Sequence, residues 1–105
     1  MEKIYNRSNQ VHGYLDGNTI YDRNHHTMGY ISGNMILDSW HRPRGYSMND
    51  RIYNMNDETM GYTRNYNVYN VQNRHLGHVN STFNGLLGAV GLLLFADALL
   101  TPFWF

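Results

Sequence analysis

Cysteine is absent from these 105 residues, which removes disulfides, thiol chemistry and cysteine-bound zinc together and fits a reducing compartment. Net charge is absent as well: eight basic side chains balance eight acidic ones, so no global field steers nucleic acid or an anionic surface to the chain. Proline occurs only twice, at Pro43 and Pro102. The start, Met1-Glu2-Lys3-Ile4-Tyr5, has neither an apolar run nor a cleavage site, and nothing in it reads as a signal peptide. Aliphatic residues are scarce from residue 4 to residue 79, where Asn and Tyr dominate. A domain made of that stretch alone would have a poor core, so it needs something to enclose.

What is present is a period. Ile4, Ile20, Ile36, Ile52 and Val68 stand sixteen residues apart, as do Gly13, Gly29, Gly45, Gly61 and Gly77. Tyr14, Tyr30, Tyr46, Tyr62 and His78 follow the five glycines. A fixed period without insertions means one supersecondary unit used repeatedly. Within the unit, Gly13-Tyr14-Leu15-Asp16 and Thr19-Ile20-Tyr21-Asp22 are short β-type runs joined by Gly17-Asn18, a two-residue hairpin turn. That turn sets Asp16 opposite Thr19, Leu15 opposite Ile20, Tyr14 opposite Tyr21 and Gly13 opposite Asp22. Alternation then places aliphatic pairs on one face: Leu15 with Ile20, Ile31 with Ile36, Ser47 with Ile52, Thr63 with Val68. The other face carries Tyr14 with Tyr21, Tyr30 with Leu37, Tyr46 with Tyr53 and Tyr62 with Tyr69. Later turns are Gly33-Asn34, Asn49-Asp50 and Asn65-Tyr66, with Tyr66 the weakest turn former.

Two half-units remain at the ends of the repeat region, Ile4-Tyr5-Asn6 and Gly77-His78-Val79, and they complement each other. A sheet whose last strand completes its first exposes no edge, which predicts a shallow closed ring of about ten short strands; the alternative is an open solenoid. The polar connections are Ser8-Asn9-Gln10, Asn24-His25-His26, Trp40-His41-Arg42-Pro43, Asn56-Asp57-Glu58 and Gln72-Asn73-Arg74-His75. They agree in place and differ in chemistry, as exposed loops do.

From Phe83 the composition changes. Residues 83–100 read as one apolar helix, capped by Asn80-Ser81-Thr82 and ended by Thr101-Pro102. Such a helix covers about 27 Å, just under a bilayer's roughly 30 Å hydrocarbon core, so length does not separate a plug inside the ring from a tail anchor in lipid. Gly85, Gly88 and Gly91 thin its first half and would let strands approach, although Gly85 with Ala89 would also suit helix association in a membrane. Strands of three or four residues rise only about 10 to 14 Å, so the helix is expected to project from the ring. The projecting group is Leu99, Leu100, Phe103, Trp104 and Phe105, expected to touch a membrane or a second copy of the chain. The division is thus a repeat β-ring over 1–82 and an apolar helix with an aromatic tail over 83–105.

The Ile-Tyr-Asp/Asn and Gly-Tyr elements from Ile4 to Val79 resemble the β-flower domains of bacteria, shallow radially symmetric barrels of hairpin repeats likened to the Tubby C-terminal domain. The best-known form is four-fold, whereas here four complete hairpins and a split fifth pair are counted. The resemblance implies no established activity. Likeness to Tubby implies phosphoinositide or membrane association, but no basic headgroup cluster stands in this sequence to carry that over.

Three sets of residues invite chemistry. His25, His26 and His41 occupy equivalent loops, and His12, His75 and His78 lie near the closure, so a histidine rim could ligate a transition metal. No two-histidine helical spacing or carboxylate partner accompanies them. Asn6, Asp22, Asp38, Asn54 and Asn70 form a ring that suggests an ion collar; each also sits opposite a glycine, where it can hydrogen-bond local backbone, and we read it that way. The tyrosine face could stack sugars or bases, but cross-strand contact explains it. No phosphate loop and no nucleophile, base and acid set is recognisable. The whole reads as a non-enzymatic binding or membrane-associated scaffold module, cytoplasmic or at the inner face of the membrane. Its expected partners are membrane lipid or a homo-oligomer and not nucleic acid, and neither cofactor nor metal is expected. The alternatives are a His-rich metal-binding or hydrolytic enzyme using His25, His41 and Asp57-Glu58, and a tail-anchored protein carrying a cytoplasmic ring.

Overall fold

The computed structural model describes residues 1–80 and 83–100. Ten strands close into one antiparallel barrel: β1 (Glu2–Asn6), β2 (Val11–Asp16), β3 (Thr19–Asp22), β4 (Thr27–Ser32), β5 (Met35–Asp38), β6 (Pro43–Met48), β7 (Arg51–Asn54), β8 (Thr59–Arg64), β9 (Asn67–Asn70) and β10 (His75–His78). Each strand pairs with its sequence neighbours, and β1 with β10 closes the ring through Tyr5 opposite His78 and Asn6 opposite Gly77. Gly13 faces Asp22, Tyr14 faces Tyr21, Leu15 faces Ile20 and Asp16 faces Thr19, the register that the two-residue turn demands. The later hairpins repeat it. The split pair is therefore a fifth unit cut by the chain ends, and the barrel is five-fold.

Turn chemistry differs between units in a way the residues explain. Gly17 and Gly33 hold φ of 62° and 61°, with only the first turn position left-handed. In Asn49-Asp50 and Asn65-Tyr66 both positions are left-handed, at 54° and 66° and at 52° and 65°. Asn and Asp tolerate that region; Tyr66 does not do so readily, and its strain is imposed by the ring. The second turn residue of each unit accepts a hydrogen bond from the next unit: Ile31 N–H to Asn18 O, Ser47 N–H to Asn34 O, Thr63 N–H to Asp50 O and Val79 N–H to Tyr66 O, at 2.8 to 3.0 Å. Deleting residues 1–7 removes β1, and we expect the loss of barrel cooperativity, read as a lower thermal midpoint and as faster amide exchange at Val79. Unchanged protection at Val79 would show that the seam carries no stability.

The helix lies inside. α1 (Phe83–Leu94) contacts strands around the ring, while α2 (Ala96–Leu100) lies against β4 and β5. Ile4, Ile20, Ile36, Ile52 and Val68 are fully buried and form a girdle around Leu87, Ala89 and Val90, themselves no more than 1% exposed. Strand and helix volumes are complementary. Where the strands offer isoleucine, the helix offers small residues: a Cβ on Gly91 would lie 3.0 Å from Ile20 Cδ1. Where the strands offer glycine, the helix offers bulk. Leu92 lies over Gly13, Leu93 over Gly77, Leu94 over Gly61, Phe95 over Gly45 and Leu99 over Gly29. Interiors close-packed in this way leave little room for substitution on either side.

Two expectations need correction. Residues 83–100 are not one straight helix: it breaks at Phe95, whose N–H is shared between the carbonyls of Val90 and Gly91 at 3.3 and 3.2 Å. The ring of Phe95 occupies the space over Gly45, and α2 restarts with Asp97 in its first turn, where a carboxylate suits the helix dipole. Leu99 does not project; it is 1% exposed and belongs to the core. Of the two placements left open for the apolar helix, the structure has the plug: its residues fill the barrel interior, and among the described residues no helix is long and apolar enough to cross a membrane.

Candidate functional site

The four hairpin turns lie at one rim of the barrel, and the five polar loops lie at the other, where the C-terminal end of the helix also arrives beside the glycine collar. Every loop is built on the same side-chain device. Asn6 Oδ1 accepts the N–H groups of Ser8 and Gln10; Asp22 does so for Asn24 and His26, Asp38 for Trp40 and Arg42, Asn54 for Asn56 and Glu58, and Asn70 for Gln72 and Arg74, all at 2.8 to 3.0 Å. An Asn or Asp oxygen here replaces the partners that the loop backbone would otherwise lack. The polar ring is thus structural, as its position opposite glycine suggested. Burial would raise the Asp22 carboxyl, but the N–H groups of His26 and Asn24 and the His26 ring outweigh it and hold the group below the usual value.

The third residue after each anchoring Asn or Asp, that is Asn9, His25, His41, Asp57 or Asn73, is left-handed, with φ between 62° and 67°. That conformation turns its side chain onto the outer wall. His25 stacks on Tyr14 at 4.6 Å and His41 on Tyr30 at 4.0 Å, while the Tyr46 hydroxyl donates to Asp57 at 2.5 Å and the Tyr62 hydroxyl to Asn73. Donation to Asp57 raises the Tyr46 phenol above its usual value. Cross-strand stacking of Tyr46 with Tyr53 and Tyr62 with Tyr69, at 5.2 and 4.9 Å, completes the wall. The tyrosines are therefore engaged by neighbouring units. The two candidate loop histidines are held apart on separate units, and Glu58 accepts from Asn54 Nδ2 at 2.8 Å. Among the described residues no group of three or more His, Asp or Glu could hold a metal ion.

A feature not read from the sequence shapes the mouth of the loop rim. The register shifts once per unit on the strand after each loop, leaving His12, Met28, Arg44, Met60 and Leu76 as bulged residues sixteen apart. A bulge re-aims its side chain. Met28 joins the core, and Met60 and Leu76 lie against it together with Leu93 and Leu94. Arg44 reaches the buried Asp38 at 2.9 Å.

Outside the mouth, the loops divide the rim into two arcs. Trp40, Met55 and Val71, on three consecutive loops, are 48, 47 and 54% exposed. Arg7 and Arg23 are exposed on the two loops that complete the circle, and Arg74 is exposed at the end of the Val71 loop, next to the Arg7 loop. Two clefts accompany them. One of about 690 Å³ follows the outer wall beside Arg51, Tyr62 and Arg64. Another of about 330 Å³ opens at the seam, between the loop after β1 and the loop before β10. Of the expected contact residues Leu100, Phe103, Trp104 and Phe105, the side chain of the first and the whole of the others lie outside the described residues.

A closed barrel of five hairpin units filled by its own C-terminal helix defines a radially symmetric β-flower. The chain belongs to that family: the family described as 5-fold beta-flower protein matches residues 1–96. Comparison with curated proteins and with solved structures gives no match.

Proposed function

We propose that this chain is a peripheral membrane-binding module whose loop rim rests on a lipid surface. The observation that carries the reading is the apolar arc of Trp40, Met55 and Val71, three half-exposed side chains on consecutive loops of one rim. Indole and thioether groups suit the bilayer interface, and a single plane of loop tips can insert together without disturbing the barrel. Arg7 and Arg23 on the remaining arc, with Arg74 at the border between the two, complement anionic headgroups. The end of α2 reaches the same rim.

The test is sedimentation with vesicles of phosphatidylcholine and phosphatidylserine. Changing Trp40, Met55 and Val71 together to serine is expected to weaken binding by about a hundredfold, since each removes apolar area worth roughly 1 kcal/mol on burial. Met48, 51% exposed beside the hairpin turns of the opposite rim, serves as the control, and Met48→Ser is expected to bind as the parent does. Equal losses from the two rims would defeat the assignment.

A further inference from the structure

The seam cleft is lined by Asn6, Arg7, Ser8, His12, Arg74 and His75 over an apolar floor of Leu76 and Leu93. Its two halves come from opposite ends of the repeat region and meet only because β1 pairs with β10. The charged side chains at its wall are both guanidinium groups, and no carboxylate lines it.

One of those arginines is left over by a difference among the five units. In four units the second atom of the loop-anchoring Asn or Asp meets a complementary group. Asn6 Nδ2 donates to Gln10 at 3.3 Å, Asn54 Nδ2 donates to Glu58 at 2.8 Å, Asp22 accepts from His26 at 3.3 Å and Asp38 accepts from Arg44 at 2.9 Å. In the fifth unit the anchor is Asn70 and the residue four further on is Arg74, so an amide N–H₂ faces a side chain that can only donate. Among the described residues neither Arg74 nor Arg7 forms an ion pair. A second mismatch lies in the same cleft: His12 Nδ1 is buried without a hydrogen-bond partner. Buried polar atoms are rarely left so, and an orphan nitrogen in a cleft walled by two cations without ion-pair partners points to a partner that arrives from outside.

We propose that the seam cleft is a binding site for a phosphate-bearing anion, clamped between Arg7 and Arg74 and reached by the His12 ring and the Ser8 hydroxyl. Two guanidinium groups from opposite walls suit a tetrahedral dianion, whose several oxygens accept from different directions at once. The volume, about 330 Å³, exceeds a phosphate ion and leaves space for a small organic group against Leu76 and Leu93. His75 already uses Nε2 on Asn67, at 2.9 Å, which leaves Nδ1 as its second ring nitrogen. Burial first and the charge of Arg23 second lower the His12 pKa and disfavour the imidazolium. A dianion would reverse this, since it favours the imidazolium, so binding brings proton uptake at His12. The groups that face that ring are Arg7, Arg23, Arg74 and His75. The site stands on the seam geometry alone, and its place on the loop rim lets the phosphate come from a soluble monoester or from a lipid headgroup.

The probes are inorganic phosphate and glycerol 3-phosphate, followed by calorimetry and by the imidazole proton signals of His12 and His75 as pH is varied, at constant ionic strength. The expected result is saturable binding, tighter for glycerol 3-phosphate, with the His12 titration moved to higher pH. Arg74→Gln and Arg7→Gln, both at exposed positions, should each weaken binding roughly ten- to hundredfold, the effect of losing a charge-assisted hydrogen bond. Arg51→Gln on the other side of the barrel should leave it unchanged. Equal binding by Arg74→Gln, or equal weakening by Arg51→Gln, would overturn the site and leave only general charge attraction. Vesicles of phosphatidylcholine with phosphatidic acid give the second arm. Arg74-dependent vesicle binding assigns the lipid source, and soluble binding without vesicle binding keeps the site while removing the membrane reading. Vesicle binding that ignores Arg7 and Arg74, with no soluble binding, removes the site and keeps the membrane reading.

Discussion

Gly45→Ala is expected to cost this barrel about 3 kcal/mol or more, a large part of the roughly 5 to 15 kcal/mol that holds a domain of this size together. The added Cβ would lie 2.5 Å from Phe95 Cζ and 2.7 Å from the Tyr53 carbonyl oxygen. A flexible side chain could turn away, but a ladder carbonyl cannot move without releasing its strand. The clash therefore divides between expelling Phe95 and opening the β6 to β7 pairing. Gly17→Ala provides the contrast. Nothing lies within 4 Å of its Cβ, and the cost is only the left-handed backbone at φ 62°, about 1 kcal/mol. Urea unfolding of the two variants measures the difference. Equal midpoints would mean that the glycine collar does not grip the helix.

Val90→Asp should be more damaging still. Val90 is 0% exposed within the isoleucine girdle, and a carboxylate there either remains charged without a partner or takes up a proton, at a cost of several kcal/mol in each case. Loss of near-ultraviolet dichroism at neutral pH is the expected observation, with partial recovery in acid as the group becomes neutral. Val90→Ala keeps the comparison graded, because it removes only two methyl groups, about 2 kcal/mol with its cavity. A β domain that keeps its midpoint in both variants would show that the helix does not fill it.

The register, the closure and the two faces were legible because each rests on local chemistry repeated at one period. A two-residue turn such as Gly17-Asn18 leaves one register, and alternation then decides which side chains turn inward. The structural reading of Asn6, Asp22, Asp38, Asn54 and Asn70 was legible for a related reason: a short polar side chain at the start of a loop has its own backbone within reach. The five bulges were not legible. A bulge inserts one residue without requiring a residue type, and His12, Met28, Arg44, Met60 and Leu76 mix apolar with basic side chains, so only the strand pairing reveals them. The break at Phe95 lacked a signal too, since no Gly or Pro marks it; it follows from the width of the ring at Gly45. A straight helix would carry Leu99 beyond the ring, whereas the break at Phe95 keeps it in the core. The seam cleft joins Arg7 to Arg74 from nearly opposite ends of the repeat region. The clue available was Arg74, four residues after Asn70, where Gln10, His26 and Glu58 complement their anchors in three other units.

The reading of the loop rim as a lipid-binding face is tested most directly by the emission of Trp40 in a Trp104→Phe protein, where it is the single indole. Trp40 is 48% exposed in solution and should emit at long wavelength. On titration with vesicles of phosphatidylcholine and phosphatidylserine, the expected result is a shift to shorter wavelength that saturates with lipid and is unaffected by protein concentration. Emission that stays at its solvent-exposed wavelength at saturating lipid would contradict the account.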